Sequence, residues 1–279
     1  MNRERRSNPP LHLEESPLIL VLGVIRISPV LSMEAFIPQI QERLRDVYPR
    51  FGCSEARQIH WGPALQIGVT KKWVFSDKES RTAVSVTSNS IALQTTVYQT
   101  FDLFVDRLIQ AAGIVGTTAR VAESHRLGLR YIDFIRPAPP IRADELLSPV
   151  LRGFTKDDFH ATEMFQRHEF QCRTPEGRLV VRSFEPADDS TLPLDLAGSD
   201  LPLTAQRSPG ERVVVLDIDH FTEEPGDFDV AKISDRFWKL HDYCDIAFRA
   251  ATTEEARRKV WRGVDVVRTA PHPQGASGS

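Results

Sequence analysis

Pro17-Leu18-Ile19-Leu20-Val21-Leu22-Gly23-Val24-Ile25-Arg26-Ile27-Ser28-Pro29 is the stretch whose reading decides the fold. It is a nearly unbroken apolar and branched run carrying a single charge, the pattern of a strand buried on both faces. Glu34-Ala35-Phe36-Ile37-Pro38 then opens a helix. Much further along, Leu127-Gly128-Leu129 stands in another strand-like run closed by Pro137, and Glu145-Leu146-Leu147-Ser148-Pro149 opens a second helix. A Leu-Gly strand followed by Glu-x-x-x-Pro, met twice, reads as an internal duplication.

Working outward, residues 17–120 read as a first β-α-β-β-β-α unit. Phe36, Ile37, Ile40, Leu44, Val47 and Tyr48 form one helical stripe that Pro49 ends. Strands are expected at about 65–75, 82–87 and 91–96, and Thr96 with Gln99 has capping-box spacing. The helix that follows buries Phe101, Phe104, Val105 and Leu108. Residues 121–262 repeat the order less regularly: a strand at 125–136, a short helix at 143–151, a hairpin of 162–172 with 178–184, and a strand at 212–221. A polar insertion, 185–210, interrupts this unit. The helix at 228–251 keeps Ile233, Phe237, Leu240, Cys244, Ala247 and Ala251 at 3-4 spacing. Residues 1–16 read as a flexible tail and 263–279 as a disordered one. The expected class is α+β, with helices on one face of a continuous antiparallel sheet.

The 279 residues are 41% hydrophobic and 26% charged, enough for a sizeable core. A net charge of −3 supplies no general basic field for nucleic acid or an anionic membrane. Cys53, Cys172 and Cys244 are scattered, so neither a disulfide framework nor a zinc knuckle is expected. The first apolar run is too short and too far in for a signal peptide or a membrane span, which makes a cytoplasmic location the expectation. No phosphate-binding glycine loop, nucleophile elbow or His-Glu-x-x-His occurs, and nothing calls for a cofactor.

Three clusters carry functional groups. Asp217-Ile218-Asp219-His220 places its two acids on one strand face. With Glu223, these acids could hold a hard divalent cation; the plainer reading is solvated acids near a sheet edge. In the plainer case an Asn at 217 would shift stability by no more than about 0.5 kcal/mol. His241 and Asp245 share a helix face, as a carboxylate-oriented base or as an ion pair, while Cys244 falls on the apolar stripe. Arg126, Arg130 and Arg136 share strand parity and could present a cationic stripe to phosphates, or simply pair with neighbouring acids.

Four stretches taken together, Pro17 to Arg26, Leu93 to Phe101 with Phe104, Arg126 to Asp133, and Leu216 to Asp219 with Leu240, His241 and Phe248, resemble a sporadically distributed family of uncharacterised bacterial proteins. The resemblance spans residues 17–262. Members of that family carry Asn where this chain has Asp133. The resemblance implies no activity, cofactor or catalytic residue, and the patchy distribution implies mobile genes such as toxin–antitoxin or phage-defence neighbourhoods. The leading expectation is therefore a non-catalytic binding protein with a protein or peptide partner. Metal-dependent phosphoester cleavage through Asp217, Asp219 and His241 is the rival, and a nucleic-acid-binding sheet face through the three arginines is the third reading.

Overall fold

The computed structural model describes residues 11–60, 66–154, 157–161, 165–186, 193–196, 199–203, 205, 207–208 and 211–265. In chain order the strands and α-helices are β1 (Leu11–Leu13), β2 (Leu18–Ile27), α1 (Met33–Leu44), β3 (Arg50–His60), β4 (Gln66–Ser76), β5 (Thr82–Thr87), β6 (Ser90–Thr95), α2 (Phe101–Ala119), β7 (Glu123–Ile135), β8 (Arg167–Thr174), β9 (Gly177–Phe184), β10 (Val214–Thr222), β11 (Gly226–Asp227), α3 (Val230–Ala251) and β12 (Gly263–Asp265). The class is α+β, as expected.

One antiparallel sheet dominates, in the order β3-β4-β5-β6-β2-β7-β10-β9-β8, with β11 added beside β7. The two runs that drew attention in the sequence are its central pair: Val21 faces Tyr131, and Arg26 faces Arg126. Central strands lose both faces to neighbours, which is why their sequences are apolar almost throughout.

Gly23 is where α2 comes closest to the sheet. A Cβ there would lie 2.7 Å from Leu108 Cδ2 and 3.2 Å from the Phe104 ring, so only glycine lets the helix seat. Gly128 has another role. It pairs with Val24, one position out of step with the Gly23–Leu129 pair, and its missing side chain points at Phe221 on the opposite face. The two Leu-Gly signals therefore occupy non-equivalent positions. Likewise Glu145 to Pro149 lies in 3-10 turns, Ala143–Leu146 and Pro149–Leu151, where an α-helix was expected.

α3 packs against β7 and β10, and α2 lies between α1 and α3. Leu127, Leu129, Tyr131, Leu216 and Ile218 join Phe104, Leu108, Phe237 and Leu240 in the main core. We call this the inner face of the β7–β10 pair. Ile132, Phe134, Leu20 and Val215 point the other way and form a smaller core on the outer face with Leu196, Leu203 and Ala205. The 185–210 insertion thus supplies part of the outer cover, and Leu201 within it is buried.

Three further details differ from the sequence reading. β3 was not anticipated: it is a sheet-edge strand whose residues Phe51 to Glu55 are exposed, so no burial pattern marks it. α2 is capped by Thr100, whose hydroxyl accepts from the Leu103 N–H, rather than by a box at Thr96. Of the stretches read as tails, 1–10 and 266–279 lie outside the described residues, whereas β1 and β12 pair antiparallel, Leu11 with Asp265. No helix among the described residues is long and apolar enough to cross a membrane.

Candidate functional site

β7 carries its chemistry on both faces. On the inner face, Tyr131 and Asp133 open into a chamber of about 460 Å³ between the sheet, the N-terminal approach to α2, and α3. Segment 11–18 lines one side, with Leu11, Leu13 and Leu18 supplying apolar wall; Ile218 and Phe248 supply more. The polar groups come from four places in the chain. Tyr98 precedes α2, Tyr131 and Asp133 alternate on β7, His241 and Asp245 lie on α3, and Glu14 and Ser16 come from the N-terminal segment.

These groups are ordered. The Tyr98 and Tyr131 rings meet edge-on at 5.8 Å between centroids, and the Tyr131 hydroxyl shares a 2.9 Å hydrogen bond with His241 Nδ1. The His241 ring stacks on Phe101 at 4.0 Å between centroids, and Trp238 meets Phe101 edge-on at 4.6 Å. Burial pushes both phenol groups well above their ordinary range, so they stay protonated donors. Asp245 accepts from Arg249 Nε at 3.0 Å. Cys244 is buried on the apolar stripe, as expected, and burial raises its thiol, which works against thiolate chemistry.

Asp133 is the anomaly. It is 3% exposed, and its Oδ2 has no hydrogen-bond partner among the described residues. Burial, reinforced by the charge of Asp217, pushes its carboxyl up to about 8. At neutral pH the group is a carboxylic acid that can both donate and accept.

The outer face is ionic. Asp217 is fully buried, where a solvated acid was expected. The reason is topological: β10 is an interior strand between β7 and β9, not an edge. Arg130 Nε donates to Asp217 Oδ1 at 2.7 Å and its Nη2 to Oδ2 at 2.8 Å; Arg182 Nη1 adds 3.1 Å to Oδ2. Arg130 also grips Asp195 of the insertion, while Arg182 Nε reaches Glu169 at 2.8 Å. Nearby, Asp200 joins Lys72 and accepts from Gln94 at 3.0 Å, fastening the insertion to the face.

Asp219 shares the outer face with Asp217, as strand parity requires, directly opposite Arg130. Its carboxyl is raised by burial despite Arg130 and Arg126. Glu223 is exposed in the turn after β10. Six residues of extended chain separate it from Asp217, about 20 Å, far beyond a shared ion. Among the described residues no three His, Cys, Asp or Glu side chains are grouped as metal ligands would be. His241 belongs to the inner chamber, on the other side of the sheet from both acids.

The arginine stripe is divided too. Arg130 is committed to Asp217 and Asp195; Arg136, just past β7, pairs with Glu211 at 2.6 Å and lies 5.0 Å over the Phe134 ring. Arg126 lies 4.0 Å over the Phe221 ring. His220, by contrast, is structural: it bonds Thr174 and donates from Nδ1 to the Leu240 carbonyl at 3.0 Å, and burial lowers its pKa.

Sequence reasoning picked out His241 and singled out position 133, but missed Tyr98 and Tyr131. The available signal was Tyr131 and Asp133 alternating on one strand face, polar groups on the side that packs against helices. No protein-family model matches the chain, and no curated protein matches it.

Proposed function

We propose that this is a non-catalytic binding protein, and that its partner places an uncharged amide or carbonyl group in the inner chamber. The observation that carries this reading is Asp133, a buried acid that lines a cavity of about 460 Å³ and whose Oδ2 has no hydrogen-bond partner among the described residues. An unpaired buried polar group costs about 1–3 kcal/mol, which a bound group that pairs with it recovers. The volume falls within the range of ligand pockets, and apolar walls with a few convergent polar groups are their usual composition. A protonated Asp133 beside phenolic hydroxyls favours a neutral, hydrogen-bonding guest over an anion. The partner class is a protein or peptide inserting such a side chain; a free small molecule with the same chemistry is the other source.

The strand order supports a kinship between halves. β6-β5-β4 flank β2 as β10-β9-β8 flank β7, and each run leads into a long helix. We infer from this a duplicated scaffold with its helices on one face; a cytoplasmic location rests on the sequence reading alone. A toxin–antitoxin or phage-defence setting rests on the family resemblance alone.

Pull-down and native mass spectrometry from the native host test the reading. The expected result is a bound species with the parent protein that is absent from Asp133→Leu, with the variant still folded. Identical partners and masses for both would exclude the chamber. The phosphoester rival is tested by titrating Mg²⁺ or Mn²⁺: a saturable rise in melting temperature lost in Asp217→Asn would establish it.

A further inference from the structure

We propose a second, separate binding site: an oxyanion seat between Arg26 and Arg126 on the outer face of the central β2–β7 pair, taking a phosphate-class group. The two arginines stand directly opposite each other in register. Like charges at directly opposed positions of an antiparallel pair repel, and sheets ordinarily avoid them. Further along the sheet on this face other cations are neutralised, Arg130 and Arg182 by Asp217, Lys72 by Asp200. Among the described residues neither Arg26 nor Arg126 has a carboxylate within salt-bridge distance. Asp219 feels Arg126 electrostatically without reaching it.

The guanidinium groups are held but not satisfied. Arg126 is fixed over Phe221, yet its buried Nε has no hydrogen-bond partner among the described residues. Among the described residues Arg26 Nη1 makes only a long 3.4 Å contact with Asn89 Oδ1. Burial and the neighbouring Arg126 both depress Arg26, the response of a cation lacking its counterion. The row continues through Ser90, opposite Arg26, and Thr87, opposite Ser90, whose hydroxyls bond at 2.7 Å. On the other side Arg178, opposite Phe221, and Arg173, opposite Arg178, are exposed and likewise lack carboxylate partners among the described residues. Paired planar forks with hydroxyls alongside suit the tetrahedral oxygens of a phosphate group.

The probe is inorganic pyrophosphate, titrated into the full chain by calorimetry and thermal shift against chloride at matched ionic strength. The expected result is saturable binding that weakens about tenfold or more in Arg26→Gln and in Arg126→Gln. Arg136→Gln, paired elsewhere, should bind as the parent does, and so should Asp133→Leu, which tests the inner chamber alone. Without ligand, Arg26→Gln should melt no lower than the parent, because it relieves repulsion. A short single-stranded oligonucleotide that displaces pyrophosphate would assign the phosphate to a polymer; failure to displace it would assign a free phosphate ester. No saturable effect above chloride, or equal affinity in both Gln variants and the parent, would overturn the site.

Discussion

The inner and outer faces of β7 bury ionisable groups in opposite ways. On the outer face Asp217 is sealed from solvent, but two arginines complete its hydrogen bonds and enclose it in a cage of opposite charge. On the inner face Asp133 is nearly as buried and no cation among the described residues pairs with it, so it is held as a neutral acid beside an open chamber. The two carboxyls lie on adjacent strands, with Asp217 paired to Ile132 next to Asp133. The difference teaches that burial alone does not assign a role. A satisfied buried charge is framework, and an unsatisfied one facing a cavity is a candidate for recognition.

The strongest way to break this comparison is Asp217→Asn. If the outer network is framework, removing the charge leaves the buried Arg130 and half-buried Arg182 with only the peripheral Asp195 and Glu169, and costs about 3–5 kcal/mol by denaturant titration. A loss below about 0.5 kcal/mol would show the cage to be loose.

Asp133→Asn sharpens the contrast with the opposite sign. The folded protein keeps the Asp133 proton up to about pH 8, while the ordinary carboxyl value is 3.8. Between those values the folded state binds more protons than the unfolded chain, so this group lowers stability progressively as pH rises from about 4 to 8. Asn removes that slope. The variant should match the parent near pH 4 and exceed it by a few kcal/mol near pH 8. Parallel pH–stability curves for the two proteins would contradict a neutral acid.

Tyr131→Phe removes the hydroxyl that bonds His241 while preserving the ring. It should cost about 1 kcal/mol and shift the His241 ring signals in NMR. Unchanged His241 signals would mean that the chamber's polar groups are not coupled. Smallest of all, Arg136→Ala breaks an exposed pair with Glu211 and should cost no more than about 1 kcal/mol in thermal melts, less at high salt. A larger loss would extend the outer framework beyond the end of β7.

Much of the scaffold was legible in the residues. The 82–87 strand matches β5 at both ends, and the Ile233 to Ala251 stripe of α3 is buried as its spacing requires. Strand parity correctly put Asp217 with Asp219, and Arg126 with Arg130, because side chains alternate whatever the neighbours are. The misread elements are those whose sequence carries no burial signal. β3 is an exposed edge, and the 143–151 stretch is too short and Pro-interrupted to hold α-helical hydrogen bonding.

By itself, then, the sequence determined the period of the buried strands and long helices and which side chains share a face, since these follow from local backbone geometry. Only the tertiary structure decided what those faces meet. Arg130 and Arg182 reach Asp217 from two different strands, and Tyr98, Tyr131, Asp133 and His241 converge from three separate elements. Such meetings depend on strand order and helix seating, long-range contacts that no local spacing encodes, and they separate a framework acid from a binding one.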